Sequence, residues 1–259
     1  MAEILTHIQC WLESESQNQT SLLVVTQNSM LCVEGDSAEA FAGAAVWGLI
    51  RSIRNEHPGR SIRLLDLEDE VDWAVVRRCL GEWSEPEVAV RDGQVLIPRM
   101  RRVAKETSRE INLRRPGTIL LTGGLGGLGK EVARHLVKEH GATSLLLTSR
   151  RGMDSEGAAD FIDELKQLGA QRVAVESCDV TQLESLRGVF DTIPEDYPLL
   201  GVMHLAGVLR DGLGVDLSPD DLHAVMAPKV DGGWNLHTLT QDVPIEFLVF
   251  FSSIAGTVG

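Results

Sequence analysis

A glycine-rich run between a β-prone segment and a helical pattern constrains this chain more than any other feature. Residues 118–122 read TILLT, the chain continues as GGLGGLG at 123–129, and an amphipathic helical pattern follows at 130–140. Glycine permits a tight turn with positive φ, and the start of a helix presents free N–H groups and a positive dipole end. The order strand, turn, helix therefore predicts a dinucleotide-binding loop, although such glycine turns also occur for packing alone.

Alternating strand and helix patterns extend over both halves of the 259-residue chain, so we expect an α/β protein with two Rossmann-like lobes. The predicted parts are a structural lobe at 1–98, a basic linker at 99–116, and a doubly wound parallel-sheet nucleotide-binding lobe at 117–259. The elements predicted for the first lobe are helices at 4–12, 39–54 and 71–80, strands at 22–26 and 62–67, and a hairpin of 88–90 with 95–97.

The two lobes differ in the residues that come after their first strand. In the first lobe these are Gln27–Met30, which contain no glycine, so we expect this lobe to bind no nucleotide. The segment between the lobes is rich in Arg and Lys and ends at Pro116 and Gly117. It is interpreted as a solvated linker, and the alternative is a docking segment for an acidic partner.

Composition excludes several classes of function. The chain carries 24 Lys and Arg against 38 Asp and Glu, a formal net charge of −14, so we expect no nucleic-acid partner. Cys10, Cys32, Cys79 and Cys178 are scattered without a CxxC pair, which predicts reduced thiols and no metal site. No run is apolar enough to span a membrane and no signal peptide is evident, so we expect a cytoplasmic protein without a membrane partner.

Polar residues follow the first strand after the glycine run and point to a choice of cofactor. Ser149, Arg150 and Arg151 stand where NAD-binding folds place an acidic residue. A hydroxyl and guanidinium groups suit the 2′-phosphate of NADP instead, although an arginine pair at a strand end is also common surface charge.

The next two predicted strands also end in candidate ligand contacts. Asp179 and Val180 follow one strand, and Asp179 is placed either to accept from an adenine amino group or to cap the following helix. Ala206 and Gly207 follow the other, and their small side chains would let a ribose and nicotinamide lie against the backbone. His204, just before them, is better explained as a packed core histidine than as a catalyst.

The last part of the chain adds a lysine and a serine. A helical pattern at 219–239 is predicted to break at Pro228, and Lys229 follows directly. A strand at 246–251 precedes Ser253. Each residue alone is ordinary, but together they would flank the presumed cofactor edge of the sheet.

These features together resemble the ketoreductase domains of modular polyketide synthases, which belong to the short-chain dehydrogenase/reductase superfamily. The matching motifs are TGGLGGLG at 122–129, SR at 149–150, CDV at 178–180, HLAG at 204–207, PKVDG at 228–232 and FSS at 251–253. The first lobe, with WGLIRS at 47–52 and EHP at 56–58, resembles the structural subdomain of that family, so the likeness covers nearly the whole chain.

The resemblance implies NADPH-dependent reduction of a β-ketoacyl thioester on the phosphopantetheine arm of an acyl carrier protein, beside other domains of a synthase module. In that family a serine hydrogen-bonds the ketone, a tyrosine donates the proton and a lysine holds the ribose. Ser253 and Lys229 match the serine and the lysine. The implied NADPH contacts are Thr122, Gly123, Gly124, Leu125, Gly126, Gly127, Leu128, Ser149, Arg150, Arg151, Asp179, Val180, Ala206, Gly207 and Lys229.

The chain departs from the family pattern at the tyrosine. Its single tyrosine, Tyr197, lies outside the motif, and family spacing puts the catalytic tyrosine beyond Gly259. We therefore expect a fragment, or one piece of a split domain whose C-terminal part comes from a second piece, inactive alone. Asp211 matches the last residue of the Leu-x-Asp signature of B-type ketoreductases, with Arg210 in place of the usual acidic residue, which implies a D-hydroxy product.

Two other functions remain open from the sequence. One is a ketoreductase-like domain that has lost catalysis and serves as a scaffold or NADPH-binding domain of a synthase. The other is a short-chain enzyme acting on a free small molecule, which the first lobe argues against because free-standing members seldom carry one.

Overall fold

The computed structural model describes residues 1–14, 20–36, 40–70, 73–81, 85–102 and 113–259. Its helices are α1 (Ala2–Glu13), α2 (Phe41–Glu56), α3 (Trp73–Gly81), α4 (Gly127–Lys138), α5 (Ala158–Gln167), α6 (Leu183–Asp191), α7 (Pro219–Thr240) and α8 (Ala255–Val258). Its strands are β1 (Leu22–Gln27), β2 (Ile62–Leu67), β3 (Glu87–Arg91), β4 (Gln94–Leu96), β5 (Thr118–Thr122), β6 (Ser144–Ser149), β7 (Arg172–Ser177), β8 (Leu199–His204) and β9 (Phe247–Phe250). This is the α/β class that the sequence predicts.

The chain folds as two compact units. The first comprises Met1–Lys105, Asp211–Leu222 and Ser252–Gly259, and the second comprises Glu106–Arg210 and His223–Phe251. Residues 103–112 of the predicted linker lie outside the described residues, as do 71–72 at the start of the helix predicted at 71–80. The lobe and linker boundaries given above stay a prediction.

The first unit is built on a four-stranded sheet in the order β1-β2-β3-β4, parallel except for β4. Helices α1 and α2 cover one face, where Trp47, Ile50 and Leu64 are buried together. Helix α3 covers the other face through Val75 and Val76. The hairpin of β3 and β4 turns at Asp92 and Gly93, both with positive φ, as the sequence predicts.

The second unit is a five-stranded parallel sheet in the order β7-β6-β5-β8-β9. Alternate residues of the central strands face opposite layers. Ile119, Leu121 and Leu147 pack with α4 and α5, whereas Leu120 and Leu146 pack with α6 and α7. The strand order reverses next to β5, and the carboxyl edge at such a point is where open α/β sheets bind ligands.

Helices α4 and α7 depart from the sequence prediction in ways that bear on the site. Helix α4 begins at Gly127 rather than near residue 130, so the glycine run forms its first turn. Helix α7 is continuous through Pro228, and the predicted break there is wrong. No helix within the described residues has the length and apolarity needed to cross a bilayer.

Candidate functional site

The glycine turn after β5 is shaped by its lack of side chains. Gly123 has φ +68°, and a Cβ there would lie 2.8 Å from the amide nitrogen of Ala206. A Cβ on Gly129 would overlap the carbonyl oxygen of Gly123. Glycine at these two positions therefore permits the turn and brings the start of α4 against the ends of β5 and β8.

The first turn of α4 presents backbone donors to solvent. The first intrahelical hydrogen bond runs from the Lys130 amide to the Gly126 carbonyl, 2.9 Å. The amides of Gly127, Leu128 and Gly129 therefore have no acceptor within the helix, and Gly126–Leu128 are exposed. The exposed amides of Gly127 and Leu128, at the positive end of a helix dipole, suit a phosphate.

A cleft of about 460 Å3 lies in the second unit. It is lined by Arg150, Asp179, Val180, Thr181, Ala206, Gly207, Val208, Leu209, Arg210, Ala224, Ala227 and Pro228. The close approach of Gly123 to Ala206 joins the glycine turn to this lining. The cleft thus gathers the residues that follow β6, β7 and β8, as the sequence predicts for a carboxyl-edge site.

The predicted contacts at the end of β6 have different surroundings. Arg150 is exposed and lines the cleft, and its carbonyl accepts a hydrogen bond from the Ser177 hydroxyl, 2.9 Å. The Ser149 hydroxyl is paired with that of Ser155, 2.9 Å. Arg151 precedes the short 3-10 turn Gly152–Asp154 and is not among the cleft-lining residues. Arg150 is therefore the cation best placed for a ligand in the cleft.

Asp179 forms a turn of its own rather than a helix cap. Its Oδ1 accepts from the Thr181 amide, 3.0 Å, and from the Thr181 hydroxyl, 2.8 Å, whereas α6 is N-capped by Gln182. Asn235 on α7 donates to the carbonyls of Val180 and Thr181, 3.1 and 3.0 Å. Asn235 thus fixes this wall of the cleft, and sequence reasoning misses it because no motif marks it.

Lys229 lies beside the cleft. Its ammonium donates to the Phe251 carbonyl, 3.2 Å, and a Cβ on Gly207 would lie 3.3 Å from its Nζ. Burial lowers the pKa of the Lys229 ammonium below its ordinary value. Glycine at 207 therefore leaves room for the lysine side chain next to the backbone that follows β8.

His204 is a structural histidine rather than a catalyst. It is 1% exposed, and its ring packs edge-on against Phe250. Its Nε2 bonds the Pro228 carbonyl, 2.8 Å, and its Nδ1 pairs with the Thr122 hydroxyl, 2.7 Å. Because a carbonyl only accepts, Nε2 carries the proton and Nδ1 accepts from Thr122. Burial lowers the pKa of His204, which favours this neutral ring.

This network explains two of the residues singled out in the sequence. Thr122 is fully buried, so its hydroxyl serves to tie β5 to His204 and, through the Ala206 amide at 3.3 Å, to the cleft wall. His204 also donates to the carbonyl of Pro228, which ties α7 to the end of β8.

The other residues singled out in the sequence are Ser253, Asp211 and Tyr197. Ser253 and Asp211 belong to the first unit, so their pairing with Lys229 stays a prediction. The Ser253 hydroxyl accepts from the Ala255 amide, 3.2 Å, at the start of α8. Tyr197 precedes β8 and its carbonyl accepts from Thr118 at the start of β5, so it lies at the amino edge, opposite the cleft.

Comparison with protein families gives two matches that together cover most of the chain. Residues 117–259 match the family described as "KR domain". Residues 1–100 match the family described as "Polyketide synthase extender module SpnB, Rossmann fold domain". Both agree with the resemblance drawn from the sequence motifs.

Similar proteins are large synthases. The polyketide synthase GfsA of Streptomyces halstedii is 40% identical over 259 residues, which cover 100% of this chain and 3% of GfsA. The spectinabilin polyketide synthase system protein NorA of Streptomyces orinoci is 40% identical over 256 residues, 98% of this chain and 13% of NorA. The chain therefore spans a small part of these relatives.

Similar solved structures are ketoreductases. The structure of an A1-type ketoreductase is 39% identical with a TM-score of 0.81, over 92% of this chain and 51% of that one. A-type ketoreductases from a modular polyketide synthase give 36% identity and a TM-score of 0.85, over 98% and 55%. A C2-type ketoreductase gives 29% identity and a TM-score of 0.85, over 100% and 56%.

Proposed function

Because the chain belongs to the KR domain family of polyketide synthases, we propose that it serves NADPH-dependent reduction of a β-ketoacyl thioester on an acyl carrier protein. The observation that carries this proposal is the cleft in which Arg150, Gly207 and Pro228 surround the space next to the glycine turn. The partners would be the acyl carrier protein and the other domains of a synthase module.

The described residues fit a phosphorylated nicotinamide dinucleotide. The free amides of the first turn of α4 suit its pyrophosphate, and the glycines at 123 and 207 keep the backbone open where a Cβ would crowd it. Arg150 supplies a guanidinium where an NAD-specific fold has an acid, which suits the 2′-phosphate. Asp179 would accept from the adenine amino group.

Two side chains would act on the reacting groups. When bound, the cofactor would supply the hydride, and negative charge would then develop on the ketone oxygen. Ser253 would donate a hydrogen bond to that oxygen. Lys229 would hold the nicotinamide ribose, and its positive charge would lower the pKa of the phenol that donates the proton. Tyr197, at the opposite edge of the sheet, is not that phenol.

Cofactor choice can be tested on the chain as it stands. Fluorescence titration should give NADPH tighter than NADH, and Arg150→Gln should weaken NADPH by about tenfold while leaving NADH nearly unchanged, since a charged hydrogen bond contributes about 1.5–3 kcal/mol. Arg151→Gln is the matched control and should change neither. Equal affinity for the two cofactors, or an equal loss in both variants, would refute the role of Arg150.

Catalysis is tested with a module-length protein that contains this chain and with a carrier-bound substrate. Such a protein should reduce the β-ketoacyl thioester faster than a free ketone, and Lys229→Ala should abolish the reduction. NADPH binding without any reduction would favour the alternative of an inactive scaffold or cofactor-binding domain.

Product configuration separates two stereochemical types. Asp211 favours the B-type and a D-hydroxy product, whereas two of the similar structures are A1-type and A-type ketoreductases and favour the A-type. We propose the B-type because Asp211 matches its signature. Chiral analysis of the hydroxyacyl product tests this, and an L-hydroxy product would overturn it.

A further inference from the structure

The first unit contains a cleft lined by three arginines. The cleft measures about 490 Å3 and is lined by Arg54, Pro58, Arg60, Ser61, Ile62, Arg63, Glu85 and Pro86. It lies at the amino edge of the first sheet, because β2 begins at Ile62 and Pro86 immediately precedes β3. This volume is within the range of small-ligand sites.

Each of the three guanidinium groups has a buried nitrogen without a hydrogen-bond partner. These atoms are Nη1 of Arg54, Nη1 of Arg60 and Nε of Arg63. Buried polar groups are paired in the great majority of cases, and leaving a donor unpaired costs about 1–3 kcal/mol. Three such donors around one cleft therefore call for an acceptor.

Two of the arginines are held in place by their other nitrogens. Arg54 donates from Nη2 to Glu87, 2.6 Å. Arg60 donates from Nη2 to the Leu12 carbonyl, 2.9 Å, and its guanidinium lies 4.9 Å from the ring centroid of Trp11. The arginines are thus oriented before any ligand arrives, which reduces the entropy lost on binding.

The acids near the cleft are already paired. Glu85 forms an ion pair with Arg99, 2.5 Å, and Glu87 pairs with both Arg51 and Arg54, 2.6 Å each. Among the described residues that line the cleft, three arginines stand against one carboxylate, Glu85. The local charge is therefore positive, although the whole chain has a net charge of −14.

We infer that this cleft binds an oxyanion of the phosphate class, at a site separate from the nucleotide cleft of the second unit. Guanidinium groups present several donors in a planar fork and hold their charge at all physiological pH values, so they are suited to phosphate oxygens. A phosphorylated small molecule would place its phosphate against the three unpaired nitrogens and its remainder in the rest of the cleft.

Inorganic phosphate is the probe, titrated calorimetrically into the full chain. All variants are made in the Arg150→Gln background, so that phosphate held by Arg150 in the second unit does not contribute to the binding signal. Saturable one-to-one binding with Kd below about 1 mM is expected, and Arg63→Gln should weaken it at least about tenfold. Within the described residues the Arg63 side chain makes no hydrogen bond, so the substitution removes no such contact. Circular dichroism checks that the variant is folded.

Arg187→Gln, which removes one exposed arginine on α6 in the second unit, is the matched control for general charge and should leave phosphate binding unchanged. A parallel titration with citrate shows whether the cleft prefers phosphate or a carboxylate anion. No saturable binding, an equal loss in the Arg63 and Arg187 variants, or binding of citrate alone would each overturn the proposal. Because the readout is phosphate and not NADPH, its failure is distinct from failure of the proposed reductase function.

Discussion

The ends of β1 and β5 follow the same plan but differ in the loop that follows and in the residue opposite the threonine on the neighbouring strand. Thr26 is the last but one residue of β1, and Thr122 is the last residue of β5. Each strand leads into a loop and then a helix, and each pairs in parallel with the next strand. Thr26 lies opposite Asp66 in the first unit, and Thr122 lies opposite Thr148 in the second. The two sites therefore offer an internal comparison at matched positions.

In the first unit the carboxylate of Asp66 occupies the loop. It accepts from the amides of Ser29 and Met30, 3.1 and 3.2 Å, and from the Thr26 hydroxyl, 2.6 Å. Arg91 donates to it at 2.6 Å, so the buried charge is neutralised. The loop amides are thus satisfied from within the chain, and no anion is needed.

In the second unit the matching residue carries no charge. The Thr148 hydroxyl is buried without a hydrogen-bond partner, and its carbonyl accepts from the Gly124 amide, 3.1 Å. The first-turn amides of α4 therefore stay available to a ligand. The end of the adjacent strand, as much as the loop, thus decides whether an anion site is filled or open.

Removing the carboxylate of Asp66 should have the largest effect of the changes considered, and it should appear as a loss of stability. Asp66→Asn would leave the buried Arg91 with Asp36, at 3.3 Å, as its remaining carboxylate partner among the described residues, so we expect a loss of about 3 kcal/mol in the free energy of unfolding. Urea unfolding measures it. Asp69→Asn is the matched control and should cost less than about 1 kcal/mol, since the exposed Asp69 accepts, among the described residues, from the side chains of Asn28 and Gln27. Equal losses in the two variants would contradict the role given to Asp66.

A carboxylate at position 148 should prevent anion binding at the glycine turn of the second unit. Thr148→Asp would put a negative charge beside the pyrophosphate position, and we expect NADPH affinity to fall roughly 100-fold. Fluorescence titration measures the affinity, and circular dichroism follows the fold.

Two neutral variants separate charge from shape at this position. Thr148→Val keeps the volume and should stay within about threefold of wild type, while Thr148→Asn has the shape of Asp and should bind at least about tenfold tighter than it. NADPH affinity that is alike in Thr148→Asp and Thr148→Asn would show that the charge at this position does not govern the site.

Much of this fold follows from local sequence. The apolar runs at 62–67 and 118–122 form buried strands where predicted, because their side chains fill both faces of a sheet. The predicted start of α4 is too late, because glycine is a poor helix former and the sequence alone argues against a helix in the glycine run. In the structure the helix takes in these glycines because their lack of side chains lets its first turn pack closely against the ends of β5 and β8.

The polar networks could not be read from the sequence. Periodicity shows that Asp66 lies in a strand, but not that its carboxylate reaches the amides after β1. The hydrogen bond from His204 to the Pro228 carbonyl likewise joins residues 24 positions apart in the chain. Such contacts join elements that only the tertiary fold brings together, so they carry no local signal.

Thr26 and Thr122 also differ in their aromatic partners, because the histidine beside Thr122 titrates and the tryptophan beside Thr26 does not. From this difference we expect the smallest of the predicted effects, a change in how stability depends on pH. Thr26 accepts from the indole of Trp47, 2.8 Å, whereas Thr122 donates to His204. Burial lowers the pKa of His204 in the folded state, so the unfolded chain takes up a proton first as pH falls. The stabilisation is complete above about pH 6.5 and is lost below it, toward the lower folded pKa.

Between pH 7.5 and 5.5, urea unfolding should show wild type losing about 1 kcal/mol more than His204→Gln, whose amide retains a donor and an acceptor. The exposed-site variant His223→Gln should follow wild type; a His204→Gln curve parallel to both would mean that this ring is not held neutral by the fold.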